Sequence, residues 1–316
     1  MKELINIKNE IDKYNNIVLS AHVNPDGDAF GALFAFKFMI EKYNSNKKVD
    51  IVMQFEIPKF MKKFDESKLI KDNYSDDVEL VIMLDTANID RAAIDNRIFE
   101  IAKQTINIDH HVSNTKYLNI NYVEDISSAS ELLYKFLDIF NIELDEQIAK
   151  FMYLGIINDT GNFRHSNVKE STFNVAANLV KVGVDIRKIN NILFSKSREK
   201  VKVFGKALIE YKYLEDINFA YLYISQNDMK ELGVTEEDTD GISELLLSIE
   251  DVDVSLFVRE DSEKMLKGSF RSKNVNVNKI ASNFNGGGHV LAAGFKFNGS
   301  FDEIIEKVIS ELRGLK

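Results

Sequence analysis

Short apolar runs alternate with longer stretches of helical spacing through the first part of the chain. Ile17–Ala21 (IVLSA), Val49–Met53, Glu79–Leu84 (ELVIML) and Thr105–Ile108 (TINI) have the length and flanks of buried strands. Between the first two, residues 27–42 (GDAFGALFAFKFMIEK) read as an apolar helix. Alternation of this kind predicts βαβ units and a parallel sheet, an α/β arrangement. Helices then follow. Ser128 and Glu131 have the S-x-x-E spacing of a capping box before an apolar run. Helical patterns cover residues 145–158, 170–182 and 185–212.

The pattern changes near residue 215. Phe219–Ile224, Val252–Val258 and Lys264–Ser272 read as strands, and 238–249 and 275–284 as helices. Ser300 and Glu303 are spaced to cap a last helix. Strands in succession with helices beside them suggest a smaller α+β domain. The expected organisation is a first domain over 1–190, a helical linker over 191–215 and a second domain over 216–316. No internal repeat or low-complexity linker interrupts it.

A length of 316 residues suits two domains, and 45% hydrophobic with 28% charged residues is an ordinary globular composition. The chain has no cysteine, which excludes disulfides and thiolate zinc sites. The opening segment MKELINIKNEIDKY carries acids and no apolar core, so no secretory leader is expected. No run approaches the ~18 apolar residues needed to span a membrane. A cytoplasmic protein without membrane contact is the expectation. The net charge of −10 argues against a long basic track for nucleic acid, but permits a local site for a small phosphate-bearing molecule.

Three expected strands end in chemically loaded segments. The first runs into His22-Val-Asn-Pro-Asp26-Gly-Asp28, the third into Asp85-Thr86, and the fourth into Asp109-His110-His111. Ligands of an open parallel sheet bind beyond the carboxyl ends of its strands. These segments are therefore expected to converge. Asn158-Asp159-Thr160-Gly161, at the end of a helix, is a fourth candidate. Two carboxylates 4 Å apart repel by ~4 kcal/mol at an effective dielectric of about 20, so such a cluster needs protons or cations. Carboxylate and imidazole without sulfur suit Mn²⁺, Mg²⁺ or Fe²⁺, with Zn²⁺ possible. The ligands are too many for one ion with open positions, whereas two ions sharing a carboxylate suit phosphoester hydrolysis. In the second domain, Asn285-Gly286-Gly287-Gly288-His289 exposes backbone N–H groups that can cradle a phosphate. Arg271 is suited to bidentate phosphate contact or base stacking.

The set HVNPDGD, LDT, DHH and NDTG, in that order, resembles the DHH phosphoesterase superfamily. The later GSFRS and NGGGH resemble its type-1 DHH-associated domain. The match spans essentially the whole chain, and its compact length resembles the standalone bifunctional oligoribonuclease (nanoRNase)/pAp phosphatase branch. That resemblance implies a Rossmann-like DHH domain joined by a helical linker to a smaller α+β substrate-binding domain. It implies two divalent ions, with Mn²⁺ expected and Mg²⁺ or others allowed. His22, Asp26 and Asp85 would hold one ion, and Asp28, Asp85, His110 and Asp159 the other. His111 would face the scissile phosphate, and Asp109 would orient the histidines. Substrate contacts fall to Arg91, Arg164, Arg271, Ser272, Gly286, Gly287, Gly288 and His289. The family often has four glycines before the histidine, where this chain has Asn285.

The reading is a metal-dependent phosphoesterase and exoribonuclease with 3′(2′),5′-bisphosphate nucleotidase activity. It would shorten oligoribonucleotides of two to five units, split pApA to AMP and convert pAp to AMP. The alternatives are a dedicated cyclic or linear dinucleotide phosphodiesterase and, from another class, a catalytically inactive nucleotide-binding protein. The expected partners are short RNA, a dinucleotide or a nucleoside bisphosphate. A homodimer is compatible with folds of this size.

Overall fold

The apolar runs of the first half pair side by side in a parallel sheet. In the computed structural model, which describes residues 1–261 and 265–315, its strands are β1 (Asn16–Ser20), β2 (Lys48–Val52), β3 (Ile70–Lys71), β4 (Leu80–Leu84), β5 (Gln104–Asp109) and β6 (Ile120–Val123). Their order is β3-β2-β1-β4-β5-β6, and every pairing is parallel. Every residue of β4 is buried, as in a sheet covered on both faces. Ile17, Leu19, Ile82 and Ile106 enter the larger core cluster, while Val18, Val81 and Met83 enter the one opposite. Strand order reverses direction between β1 and β4. This is the switch point at which an open parallel sheet leaves a crevice outside its strand ends. β3 and β6 were not anticipated; they are short and partly exposed, without an apolar run to announce them.

The expected apolar helix spans Gly27–Tyr43 and is buried on almost every side. It crosses the helix Glu146–Asp159 at very close range. A Cβ on Gly31 would lie 2.4 Å from the Phe151 carbonyl oxygen. One on Gly155 would lie 2.0 Å from Ser130 Oγ and 2.4 Å from Asp28 Oδ1. Two missing side chains thus allow the backbones to approach and leave room for the Asp28 carboxylate. Aromatic packing seals the crossing, with Phe34 stacked on Phe151 at 4.9 Å between ring centroids.

The chain divides into two units, Met1–Ser195 and Lys196–Lys316. The helix expected over 185–212 is two helices, Ile186–Phe194 and Arg198–Glu210. Ser197 causes the break by capping the second, its hydroxyl accepting from Lys200 N–H at 2.9 Å. Val203 and Ala207 of that second helix are buried in the core of the second unit.

The second unit holds a mixed sheet of β7 (Lys212–Leu214), β8 (Phe219–Ile224), β9 (Val254–Glu260), β10 (Leu266–Ser272), β11 (Gly287–His289) and β12 (Ala292–Phe297). The order is β11-β12-β10-β9-β8-β7, antiparallel except for β8 beside β9. Lys264, the expected start of β10, and Lys316, the expected end of the domain, lie outside the described residues. Along β8, Phe219 faces one core cluster while Ala220, Leu222 and Ile224 face the other. Ser300 and Glu303 form the expected reciprocal capping box on helix Phe301–Gly314. The α/β parallel-sheet domain followed by a smaller α+β domain is thus borne out. Among the described residues no helix is long and apolar enough to cross a membrane.

Two glycine substitutions should move stability in opposite directions. Gly155→Ala should sharply lower the melting temperature, because its Cβ has no space. Gly205→Ala, in the Arg198–Glu210 helix with nothing within 4 Å of the added Cβ, should stabilise by about 0.5–1 kcal/mol. Thermal denaturation of both variants checks the close-crossing account.

Candidate metal centre

The loaded segments meet at the switch point. His22 follows β1 and forms an isolated antiparallel bridge with Ala92. Asp26 caps the Gly27–Tyr43 helix, its Oδ1 accepting from Asp28 N–H at 2.9 Å and Ala29 N–H at 3.1 Å. Asp28 is fully buried in the first turn. Its two oxygens accept from the backbone N–H groups of Ala129 (2.6 Å) and Ser130 (2.9 Å). Asp85 leaves β4 with φ +51, a left-handed conformation that Asp tolerates better than most residues, and its N–H donates to Ile108. His110 and His111 follow β5, and Asp159 ends its helix.

Their side-chain atoms converge. Asp85 Oδ2 lies 3.5 Å from His22 Nε2, and Asp85 Oδ1 lies 3.3 Å from His110 Nε2. The same His110 nitrogen is 3.1 Å from Asp159 Oδ2 and 3.9 Å from Asp28 Oδ2. Ligand atoms of His22, Asp26 and Asp85 lie within 4.8 Å of one another, as do those of Asp28, His110 and Asp159. Asp109, His110 and His111 form a further such group with Asp85. Both inner histidines present Nε2 to the carboxylates because Nδ1 is engaged elsewhere, His22 with Val23 O (2.8 Å) and His110 with Ile126 O (3.2 Å). A carbonyl oxygen can only accept, so Nδ1 carries the proton and Nε2 keeps its lone pair in the neutral ring.

The protonation energetics show what the cluster lacks. Burial pushes Asp26 up to about 6, reinforced by Asp85 and Asp159. Burial, then Asp159 and Asp85, holds Asp28 well above the carboxylate range. Burial also disfavours the charged form of Asp85, but the attraction of the His110 and His22 rings beside it outweighs burial and holds the carboxyl low. Burial opposes the His110 charge too, yet Asp159 and Asp85 carry its pKa to about 12; His22 reaches about 8, with Asp85 overcoming burial. The shifts of Asp26, Asp28 and His110 run in the direction that lowers the cluster's negative charge, as a bound cation would. Asp85 Oδ1 and His110 Nε2 are buried with no hydrogen-bond partner, a cost that ligation removes. Carboxylate oxygens, imidazole nitrogens and orphaned acceptors fit hard divalent ions.

His111 is placed differently. Its side chain is 41% exposed, and Nδ1 donates to Asp109 Oδ1 at 2.8 Å, a bond that raises its pKa. Asp109 is fully buried and its Oδ2 accepts from Asn114 Nδ2 at 2.6 Å. Asn114 also bonds Asn107 Oδ1 at 2.7 Å, and Asn107 Nδ2 donates to the carbonyls of Met83 and Thr86. Sequence reasoning missed Asn107 and Asn114. Asn107 sits mid-strand in TINI, a polar residue in a buried run, and that was the available signal.

The proposed substrate contacts are spread more widely. Arg91 is exposed and its carbonyl accepts from Val23 N–H, while Arg164 Nε donates to Gly161 O at 2.9 Å. The others belong to the second unit. There Arg271 is ion-paired with Glu244 at 2.8 Å, and buried Ser272 Oγ accepts from the N–H groups of Asn274 and Val275. Gly286 and Gly288 have no room for a Cβ against Gly294 O and Ala292 O. At Gly287 only Asn278 Oδ1 comes near, at 3.6 Å, and with His289 this glycine is exposed.

A model of the DHH family N-terminal domain matches residues 16–156, and one of the DHHA1 domain matches residues 216–314. The chain is 30% identical over 296 residues to an uncharacterized Mycoplasma pneumoniae protein, the MG371 homolog, covering 92% of this chain and 89% of that one. It is 28% identical over 310 residues, 96% of each chain, to the Bacillus subtilis bifunctional oligoribonuclease and PAP phosphatase NrnA. The crystal structure of an exopolyphosphatase-related protein from Bacteroides fragilis superposes with a TM-score of 0.89 at 26% identity, covering 99% and 96% of the two chains.

Cation binding should stabilise the protein through this cluster. At a hundredfold excess over Kd, Mn²⁺ contributes about 2.7 kcal/mol, a rise of several degrees in melting temperature. Asp85→Asn should abolish most of that rise. Asn tolerates the left-handed backbone at this position, so the variant tests the charge and not the turn. Thermal shift with Mn²⁺ against chelator is the measurement.

Proposed function

Because the chain belongs to the DHH family and is a hydrolase of phosphoester bonds, we propose that it degrades short oligoribonucleotides of two to five units to mononucleotides. In the same reading it splits pApA to AMP and converts pAp and water to AMP and phosphate. The observation that carries the reading is the position of Asp85, whose two oxygens face different constellations. His22 and Asp26 lie on one side, and Asp28, His110 and Asp159 are gathered around His110 on the other. His22, Asp26 and Asp85 would hold one divalent cation, and Asp28, His110 and Asp159, with Asp85 shared, another. Mn²⁺ is the expected ion. The resemblance to NrnA over nearly the whole length supports the nucleotide substrates.

Bound cations supply Lewis acidity toward phosphoryl oxygens and a water acidified enough to serve as nucleophile near neutral pH. The chain's own groups do the rest. Asp109 holds the His111 ring through Nδ1, so Nε2 is left to donate a proton or hydrogen bond to a departing oxygen. Asn114 fixes Asp109 in turn, which keeps that histidine oriented. Arg91 and Arg164 are assigned to phosphate contact. Arg271, Ser272, Gly286, Gly287, Gly288 and His289 are assigned to the nucleotide, with the open backbone at Gly287 as the closest-approach point. The Arg271–Glu244 pair must then exchange partners when an anion binds.

A product assay with Mn²⁺ tests the reading, using a 5′-labelled RNA pentamer, pApA, cyclic di-AMP and pAp. Stepwise shortening of the pentamer together with release of phosphate from pAp is expected. Cleavage of cyclic di-AMP with little action on the pentamer would replace this reading by a dedicated dinucleotide phosphodiesterase. No turnover by cation-loaded protein would leave a nucleotide-binding protein. His111→Gln should lower kcat by about 10²–10⁴-fold with Mn²⁺ binding retained. Loss of an ion in that variant would make His111 a ligand instead.

A further inference from the structure

We infer that Glu131 is a positioning residue that braces Asp28, His110 and Asp159 through one short segment and thereby governs one cation site and not the other. The inference rests on the two-cation reading above. Glu131 is buried at 1% exposure, and the chemistry described so far does not use it. It lies on a helix of five residues, Ala129–Leu133. The S-x-x-E spacing suggested a reciprocal capping box, but only half of one forms. Ser128 Oγ accepts from Glu131 N–H at 2.9 Å, while the Glu131 carboxylate turns elsewhere. Its Oε2 accepts from Ser127 Oγ and from Thr172 Oγ1, the latter at 2.8 Å. Thr172 is in the first turn of helix Glu170–Lys181, so Glu131 ties segment 126–130 to that helix.

The segment so tied bonds directly to two of the assigned ligands and reaches the backbone of the third through Asn167. Ile126 O accepts from His110 Nδ1 and so sets which ring nitrogen faces the carboxylates. The N–H groups of Ala129 and Ser130 hold both oxygens of Asp28. Ser127 O accepts from Asn167 Nδ2 at 2.9 Å, and the same amide reaches the carbonyl of Asp159 at 3.2 Å. His22 and Asp26 take their hydrogen bonds from other places, His22 with Val23 O and Asp26 with its own helix N-terminus. One brace thus serves the His110 side of Asp85 and leaves the His22 side alone.

Calorimetric titration with Mn²⁺ of wild type, Glu131→Ala, Thr172→Val and Glu131→Gln tests this. Wild type should take up two ions. Glu131→Ala and Thr172→Val should weaken one of them 10–100-fold, the usual cost of removing a residue behind a metal ligand, and leave the other within about threefold. Glu131→Gln should restore affinity, since its amide oxygen can accept both hydroxyls. Thr172→Val removes a single hydroxyl and keeps the test valid if Glu131→Ala does not fold. Equal weakening of both ions, or of neither with only a lower melting temperature of the cation-free protein, would overturn the inference. A wild type that takes up one ion would overturn the two-cation reading, and site selectivity with it.

Discussion

Asp26, Asp28, Asp85, Asp109 and Asp159 crowd one corner of the first unit, and three of them, Asp28, Asp85 and Asp109, are almost wholly shielded from water. A pair of like charges at 4 Å costs about 4 kcal/mol even at an effective dielectric of 20. The fold cannot carry such a cluster as free carboxylates. It compensates by favouring the protonated forms of His22, His110 and Asp28, and with backbone N–H groups aimed at carboxylate oxygens. Asp85 Oδ1 and His110 Nε2 remain without a hydrogen bond at the centre. The rest of the first unit makes sense as a device for holding this charge until cations arrive.

That device is built from simple parts. Parallel strands deliver Asp85 and the two histidines to the same edge, and the reversal of strand order opens the crevice there. The Gly27–Tyr43 and Glu146–Asp159 helices bring Asp28 and Asp159 in from the side, at a spacing only glycine permits at positions 31 and 155. Hydrogen bonds from Nδ1 to Val23 O and Ile126 O choose the tautomers of His22 and His110. His22, His110 and Asp28 are therefore oriented by the protein itself, which lowers the reorganisation needed on binding.

Much of this was legible in the residues. The strands β1, β2, β4 and β5 announce themselves as apolar runs, and the chemical residues stand where those runs end. The first-domain clusters His22-Asp26-Asp85 and Asp28-His110-Asp159 can be written down from motif order together with family resemblance. Edge strands such as β3 and β11 could not be seen, because three residues or fewer carry no period. The break at Ser197 was hidden because helical spacing continues across it, and only the capping hydroxyl reveals the stop. The close crossing at Gly31 and Gly155 depends on which helices meet, and the turning of Glu131 away from its own N-terminus depends on Thr172, forty-one residues on. Long-range partners of this kind are tertiary facts that no local window contains.

The measurement closest to the central claim is anomalous diffraction from crystals grown with Mn²⁺. The account predicts two peaks flanking Asp85, one within ligand reach of His22 and Asp26, the other within reach of Asp28, His110 and Asp159. A single peak, or peaks coordinated by Asp109 and His111 in place of His22 and Asp26, would contradict it.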